Sequence, residues 1–249
     1  MSHYLALTCE ALARSITASA ATSPHTVTVH LIKQGLHDRP KNLRAVLQRE
    51  IDTVEEQDQP YDAILLVYGL CGTATAGICS RRIPLVIPRA HDCITLYLGS
   101  KARYKEEVAA HPGTYWYSVD YMERAEQGSS IALGAATIEF EAQEYEKWII
   151  KWDKETADML LAEMRQWSQH YTRAAFIDTG LGDFTSYEQI AREKAAQAGW
   201  IFERKLGNQR LIDMLANGQW TEQEFLIVPA GHTIQQADGE RIIRAEPIS

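Results

Sequence analysis

Between Pro88 and Cys93 the chain sets a guanidinium (Arg89), an imidazole (His91), a carboxylate (Asp92) and a thiol (Cys93) within five residues. They directly follow the apolar run Pro84-Leu-Val-Ile87. A second thiol, Cys71, stands in Tyr68-Gly69-Leu70-Cys71-Gly72, where Gly69 and Gly72 let the backbone turn sharply and approach a ligand closely. A third, Cys9, closes the apolar run that starts at Tyr4. A lone free cysteine is commonly a small buried hydrophobe. Thiols that converge in a reducing compartment hold a metal or do chemistry. Wide spacing, with no CxxC pair, argues against a zinc knuckle and for a site assembled by the tertiary fold. Cys9, Cys71 and Cys93 suit an iron–sulfur cluster with one iron left open. They also suit zinc with three sulfurs and either His91 or an open position. A nucleophilic Cys93–His91 pair is a third chemistry for the same residues. Arg89 and His91 are then catalytic groups facing substrate, and Asp92 orients His91 or caps the next helix. The fourth thiol, Cys79, is read as packing within a helix that precedes Arg81-Arg82.

These groups need elements to hold them. Apolar, β-branched runs predict strands at Tyr4–Thr8, Val27–Ile32, Ala63–Tyr68, Pro84–Ile87, Thr114–Val119, Arg173–Asp178, Trp200–Lys205 and Glu224–Val228. Helical spacing predicts helices at Glu10–Ala20, Asn42–Glu56, Ile94–Ala110, Phe140–Gln169 (amphipathic and Trp-rich), Tyr187–Ala198 with Gly199 as C-cap, and Leu211–Ala216. Residues 120–134 read as a surface excursion, and the tail after Ile234 as a hairpin or extended arm. Alternation of this kind predicts an α/β protein of two Rossmann-like lobes with parallel sheets and a cleft between them, residues 1–135 and 136–249. A single doubly wound sheet is the other arrangement. Each of the three thiols follows a strand, at the edge where open α/β sheets bind ligands.

Further groups extend the site. Lys101 and Tyr104 lie one turn apart on the helix after Cys93, and with Arg89 they favour a small anionic substrate. Gly180 and Gly182, in the strand-to-helix loop Asp178–Asp183, can cradle an anion. Gly231 and His232 end the last strand, and the two-lobe arrangement turns their loop toward the same cleft.

Composition narrows the function classes. A formal charge of -8 and a pI near 5.5, with no run of Lys and Arg, exclude a protein that wraps nucleic acid. No apolar run reaches the ~20 residues that span a membrane. Leu5–Ala21 ends in small residues, but it lacks a basic leader and carries Glu10 and Arg14, so it is not read as a secretion signal. The expected compartment is the cytoplasm.

Tyr68-Gly-Leu-Cys-Gly72, Pro84-Leu-Val-Ile-Pro-Arg-Ala-His-Asp-Cys-Ile94, Leu98-Gly-Ser-Lys-Ala-Arg-Tyr104, Gly113-Thr-Tyr-Trp116, Gly199-Trp200 and Gly218-Gln-Trp220 together resemble the prokaryotic family called domain of unknown function 1638. That resemblance implies a shared site without naming a reaction. It also implies an association with corrinoid-dependent methyltransferase systems, hence a corrinoid or a methyltransferase as partner. Three strand-end cysteines across α/β lobes are also similar in arrangement to quinolinate synthase, an analogy of layout that carries no function. The readings that follow are an iron–sulfur enzyme, a zinc-dependent thiol methyltransferase, and a non-catalytic accessory that delivers metal or corrinoid.

Overall fold

The computed structural model describes residues 1–38, 40–57, 60–125, 133, 140–168 and 170–248. In chain order the first elements are β1 (His3–Cys9), α1 (Ala13–Thr22), β2 (Thr26–Ile32), α2 (Pro40–Glu56), β3 (Ala63–Val67), β4 (Cys79–Ser80), β5 (Leu85–Pro88), α3 (Cys93–Leu98) and α4 (Lys101–Ala110). Then follow β6 (Thr114–Ser118), α5 (Val119–Glu123), α6 (Phe140–Lys151), α7 (Lys154–Ser168), β7 (Arg173–Asp178), α8 (Thr185–Ala198) and β8 (Ile201–Leu206). The chain closes with α9 (Arg210–Ala216), β9 (Phe225–Val228), β10 (His232–Gln236) and β11 (Ile243–Pro247). It divides into two compact units, Met1–Tyr104 with Gly207–Ser249, and Lys105–Leu206. The second is thus inserted into the first, whereas the sequence suggested a single boundary near residue 135.

The first unit is built on a sheet of order β2-β1-β3-β5-β9. β1, β2, β3 and β5 are parallel, and β9 runs antiparallel against β5. β3 is buried along its whole length and β1 from Tyr4 to Cys9, as expected for central strands covered on both faces. β2 alternates exposed and half-buried residues because it is an edge. α2 packs through Leu43, Leu47 and Ile51, each fully buried at a spacing of four residues. Each such side chain contributes about 1.5–3 kcal/mol. From β1 the chain steps to β2 on one side, then returns to lay β3 on the other. That reversal puts a topological switch point between the carboxyl ends of β1 and β3. A small sheet, β11-β10-β4, turns the tail into a hairpin.

The second unit holds the parallel sheet β6-β7-β8. Tyr115, Tyr117, Ala174 and Phe176 pack with Ala191 and Ala195 of α8. Both main sheets are therefore largely parallel and Rossmann-like.

Four local expectations are corrected. Cys79 lies in β4: its N–H donates to Gln48 Oε1, its carbonyl accepts from Gln48 Nε2, and it pairs with Thr233. The helix expected over 94–110 breaks at Gly99, which caps α3 in the left-handed region (φ 70°). A Cβ there would lie 2.5 Å from the Asn208 carbonyl oxygen. The helix expected over 140–169 is two helices, the second opened by Asp153, whose carboxylate accepts from the Thr156 N–H at 2.7 Å. The excursion expected at 120–134 begins as α5, capped by Ser118 Oγ, and Leu133 bridges to Trp116; residues 126–132 and 134 lie outside the described residues.

Candidate functional site

The pairing of β3 with β5 continues past both strand ends. Leu70 N–H donates to the Ala90 carbonyl and Cys71 N–H to the His91 carbonyl, each at 2.8 Å. The approach is close enough to require glycine at 69, since a Cβ there would lie 2.7 Å from the Asp92 nitrogen and 2.9 Å from the Ala90 oxygen. This lacing brings Cys71 onto the loop that delivers Cys93. Cys71 (φ 47°), Gly72 (φ 60°) and Thr73 (φ 74°) then run consecutively through the left-handed region. For the two non-glycine residues that conformation costs on the order of 1–3 kcal/mol each.

Asp92 anchors the other side. One carboxylate oxygen caps α3, accepting from Ile94 N–H (3.0 Å) and Thr95 N–H (3.3 Å). The other accepts from the Tyr104 hydroxyl at 2.9 Å. The Tyr97 hydroxyl donates to the Ala11 carbonyl, tying α3 to the segment just after Cys9. Cys9 and Cys93 are buried, and Cys71 is partly exposed.

The electrostatics of the cluster are one-sided. Burial pushes the Cys71 thiol well up, and the charges of Asp92 and Cys9 push it further; main-chain bonds to Gly69 and Cys93 offset only part of this. Burial raises Cys93 in the same way, reinforced by Cys71, Asp92 and Cys9. Tyr68, fully buried directly after β3, is raised by burial and then by Cys9, Cys71, Glu10 and Cys93. Burial also lifts Asp92, against hydrogen bonds from Tyr104, Thr95 and Ile94 and the proximity of His91. Three thiols, a phenol and a carboxyl thus sit within one another's field.

The expected cations are occupied elsewhere. Arg89 is buried; its Nε donates to the Glu222 carbonyl (2.9 Å), and its Nη1 to the carbonyls of Arg241 (2.8 Å) and Ile243. Lys101 Nζ donates to the Gln223 carbonyl. Both grip the C-terminal segment that leads into β9 and β11. His91 is exposed, with its ring 6.2 Å from that of Tyr104. Gly72 lies exposed in the Cys71 turn. Because β9 is antiparallel, its carboxyl end lies at the opposite sheet edge, and Gly231 and His232 sit there beside Ser80 rather than among the thiols. Gly180 and Gly182 belong to the second unit, and the Gly180 N–H is taken by the Asp178 carboxylate at 2.8 Å. Two groups escaped the sequence reading, Tyr68 and Glu10. The signal for Tyr68 was its place as the last large residue before the Gly-Leu-Cys-Gly turn.

Among the described residues, no group of three or more His, Cys, Asp or Glu side chains is arranged to hold a metal ion. The donor chemistry nonetheless fits a soft metal. Buried sulfurs that disfavour one another's ionisation are stabilised together by a cation, and thiolates select zinc and iron–sulfur clusters.

Fold and site define a Rossmann-like α/β protein with three thiols gathered at a topological switch point. Residues 31–216 match the family described as "Protein of unknown function (DUF1638)", and the chain belongs to that family. The matched span includes Cys71 and Cys93 and begins beyond Cys9. No curated protein and no solved structure matches the chain.

Proposed function

We propose that this protein is an iron–sulfur enzyme whose cluster is held by Cys9, Cys71 and Cys93, with one iron left open to a small anionic substrate. The observation that carries this reading is the shared field of the three thiols at the switch point, in which Cys71 and Cys93 are each raised by burial and by the neighbouring thiols and Asp92. A single zinc ion with ~2.3 Å bonds needs sulfurs roughly 4 Å apart, whereas a cluster spreads its ligands over several irons. When bound, the cluster supplies a Lewis-acidic iron for an anionic group. The chain's own residues do the rest. Asp92 and Tyr104 fix the start of α3 and with it Cys93. Tyr68, its phenol held protonated, can donate a hydrogen bond inside the cluster of thiols. His91, exposed beside the site, anchors an anion or moves a proton. Arg89 and Lys101 hold the surrounding shell and do not touch substrate. All four cysteines are free, in keeping with a cytoplasmic, reducing setting.

The commitment of Arg89 and Lys101 to main-chain carbonyls also favours a second reading, a non-catalytic accessory that passes metal or corrinoid to a methyltransferase. Anaerobic purification with elemental analysis tests the metal. We expect iron and acid-labile sulfide, with a broad visible absorption band. Protein that takes up neither, even after incubation with ferrous iron and sulfide, overturns the cluster; stoichiometric zinc replaces it with the zinc-dependent thiol methyltransferase. Turnover of a small anion without a partner protein separates enzyme from accessory.

A further inference from the structure

The turn that carries Cys71 is held from outside by one side chain of α2. Arg44 Nη2 donates to the Thr73 carbonyl at 2.6 Å, and Nε reaches the Ala74 carbonyl at 3.5 Å. The guanidinium lies against Gly77, where a Cβ would stand 3.6 Å from Nη1. Its base is rigid, because the neighbouring Leu43 and Leu47 are fully buried. The carbonyls it grips close the stretch in which Cys71, Gly72 and Thr73 are all left-handed. For a β-branched residue such as Thr73 that region is a genuine outlier. Such strain persists only where the surroundings over-determine it. Inside the turn, Ala74 N–H donates to the Cys71 carbonyl (3.1 Å) and Ala76 N–H to the Thr73 carbonyl (3.1 Å). These bonds tie the turn to itself; Arg44 ties it to the α2 scaffold.

We propose that Arg44 is a positioning residue of the thiol centre: its guanidinium holds the left-handed turn 71–73 so that Cys71 stays laced to His91 and beside Cys93. This rests on the three-thiol reading and deepens it. Arg44 touches no thiol. Without it, Cys71 and Thr73 relax toward negative φ, and rotation about those bonds carries the thiol away from its partners. The forked guanidinium matters, since a lysine ammonium is a single point donor on a flexible stem.

The test uses the full chain with Arg44→Ala, Arg44→Lys, and Arg44→Ala combined with Thr73→Gly. Two quantities are read: iron retained after anaerobic reconstitution, and the rate at which iodoacetamide alkylates Cys71 in metal-free protein, followed by mass spectrometry. Arg44→Ala should alkylate Cys71 on the order of tenfold faster, as expected for losing a charged hydrogen-bond donor, and should retain less than half the iron. Thr73→Gly, which adopts positive φ without strain, should recover much of both in the Arg44→Ala background, a rescue that loss of general stability would not show. Wild-type alkylation and iron in Arg44→Ala overturn the proposal. If Arg44→Ala does not fold, Arg44→Lys decides: an intermediate rate supports the clamp and a wild-type rate overturns it. Cys71→Ala separates the two claims. Iron retained in Cys71→Ala sinks the thiol centre itself, while the alkylation rates still judge the clamp.

Discussion

Two carboxyl edges in this molecule are written in similar sequence and built to opposite ends. In the first unit, β3 runs into Tyr68-Gly69-Leu70-Cys71-Gly72; in the second, β7 runs into Thr179-Gly180-Leu181-Gly182-Asp183. At the second edge the charge is balanced. One oxygen of Asp178 accepts from the Gly180 N–H at 2.8 Å, the other from Arg204 Nη2 at 2.6 Å. At the first edge, Cys71 and Cys93 are raised by burial, by Asp92 and by neighbouring thiols, while Arg89, Lys101 and Arg44 are spent on main-chain carbonyls. A glycine-rich strand-end loop is therefore no more than an opportunity. On the function proposed above, the edge that gathers the thiols is the one that takes a guest.

The largest expected effect tests that contrast directly. Cys71→Ala or Cys93→Ala should abolish metal retention, while Cys79→Ala, whose main chain is paired with Gln48 and Thr233, should leave it unchanged; equal loss from all three would show the ligand set to be wrong. Glu55 offers a balanced anion in the same unit as the thiols. Burial alone would raise its carboxyl, but bonds from Ser80 and from the amides of Arg82, Ile83 and Arg81 outweigh it and hold the group below its usual value. Glu55→Gln should cost about 2 kcal/mol near neutral pH. A group depressed in the folded state contributes fully above its unfolded value of about 4.3 and loses that contribution as pH falls through its folded value. The difference in Tm between wild type and Glu55→Gln should accordingly shrink as pH falls below that point; a gap of constant size from neutral pH down to pH 3 would contradict the account. Smallest of all, Asp178→Asn should cost about 1 kcal/mol, and denaturant unfolding should register it while metal content stays at the wild-type level. Metal loss there would mean that the second edge belongs to the site after all.

The central strands were legible because burial on both faces writes itself as an uninterrupted apolar run: Ala63-Ile-Leu-Leu-Val67 admits few other readings. So was the placement of Cys9, Cys71 and Cys93 along one sheet edge, because strand ends in a parallel sheet share a side. What escaped was set by partners distant in sequence. β4 is two residues long and exists only because β10 pairs with it. The direction of β9 follows from a tertiary connection and leaves no periodic mark, yet it decides that Gly231 and His232 stand at the far edge. Arg89 looked like a substrate-facing cation because its loop is full of reactive groups. Its true partners are carbonyls at 222, 241 and 243, more than 130 residues away. Arg44 gave no signal, since a helix surface rich in charge looks the same whether or not one guanidinium reaches a turn.

The division of the first unit has a consequence for the order of events during synthesis. The chain leaves it after Tyr104 and re-enters at Gly207, so the whole inserted unit leaves the ribosome before β9 and the carbonyls that receive Arg89 and Lys101. Until those residues arrive, β5 is an unpaired margin and two cations at the rim have nothing to hold. All four cysteines, by contrast, have already been made. A nascent chain therefore presents its thiols with the β5 side of the sheet still open, and β9, made only after the inserted unit, is the strand that closes it.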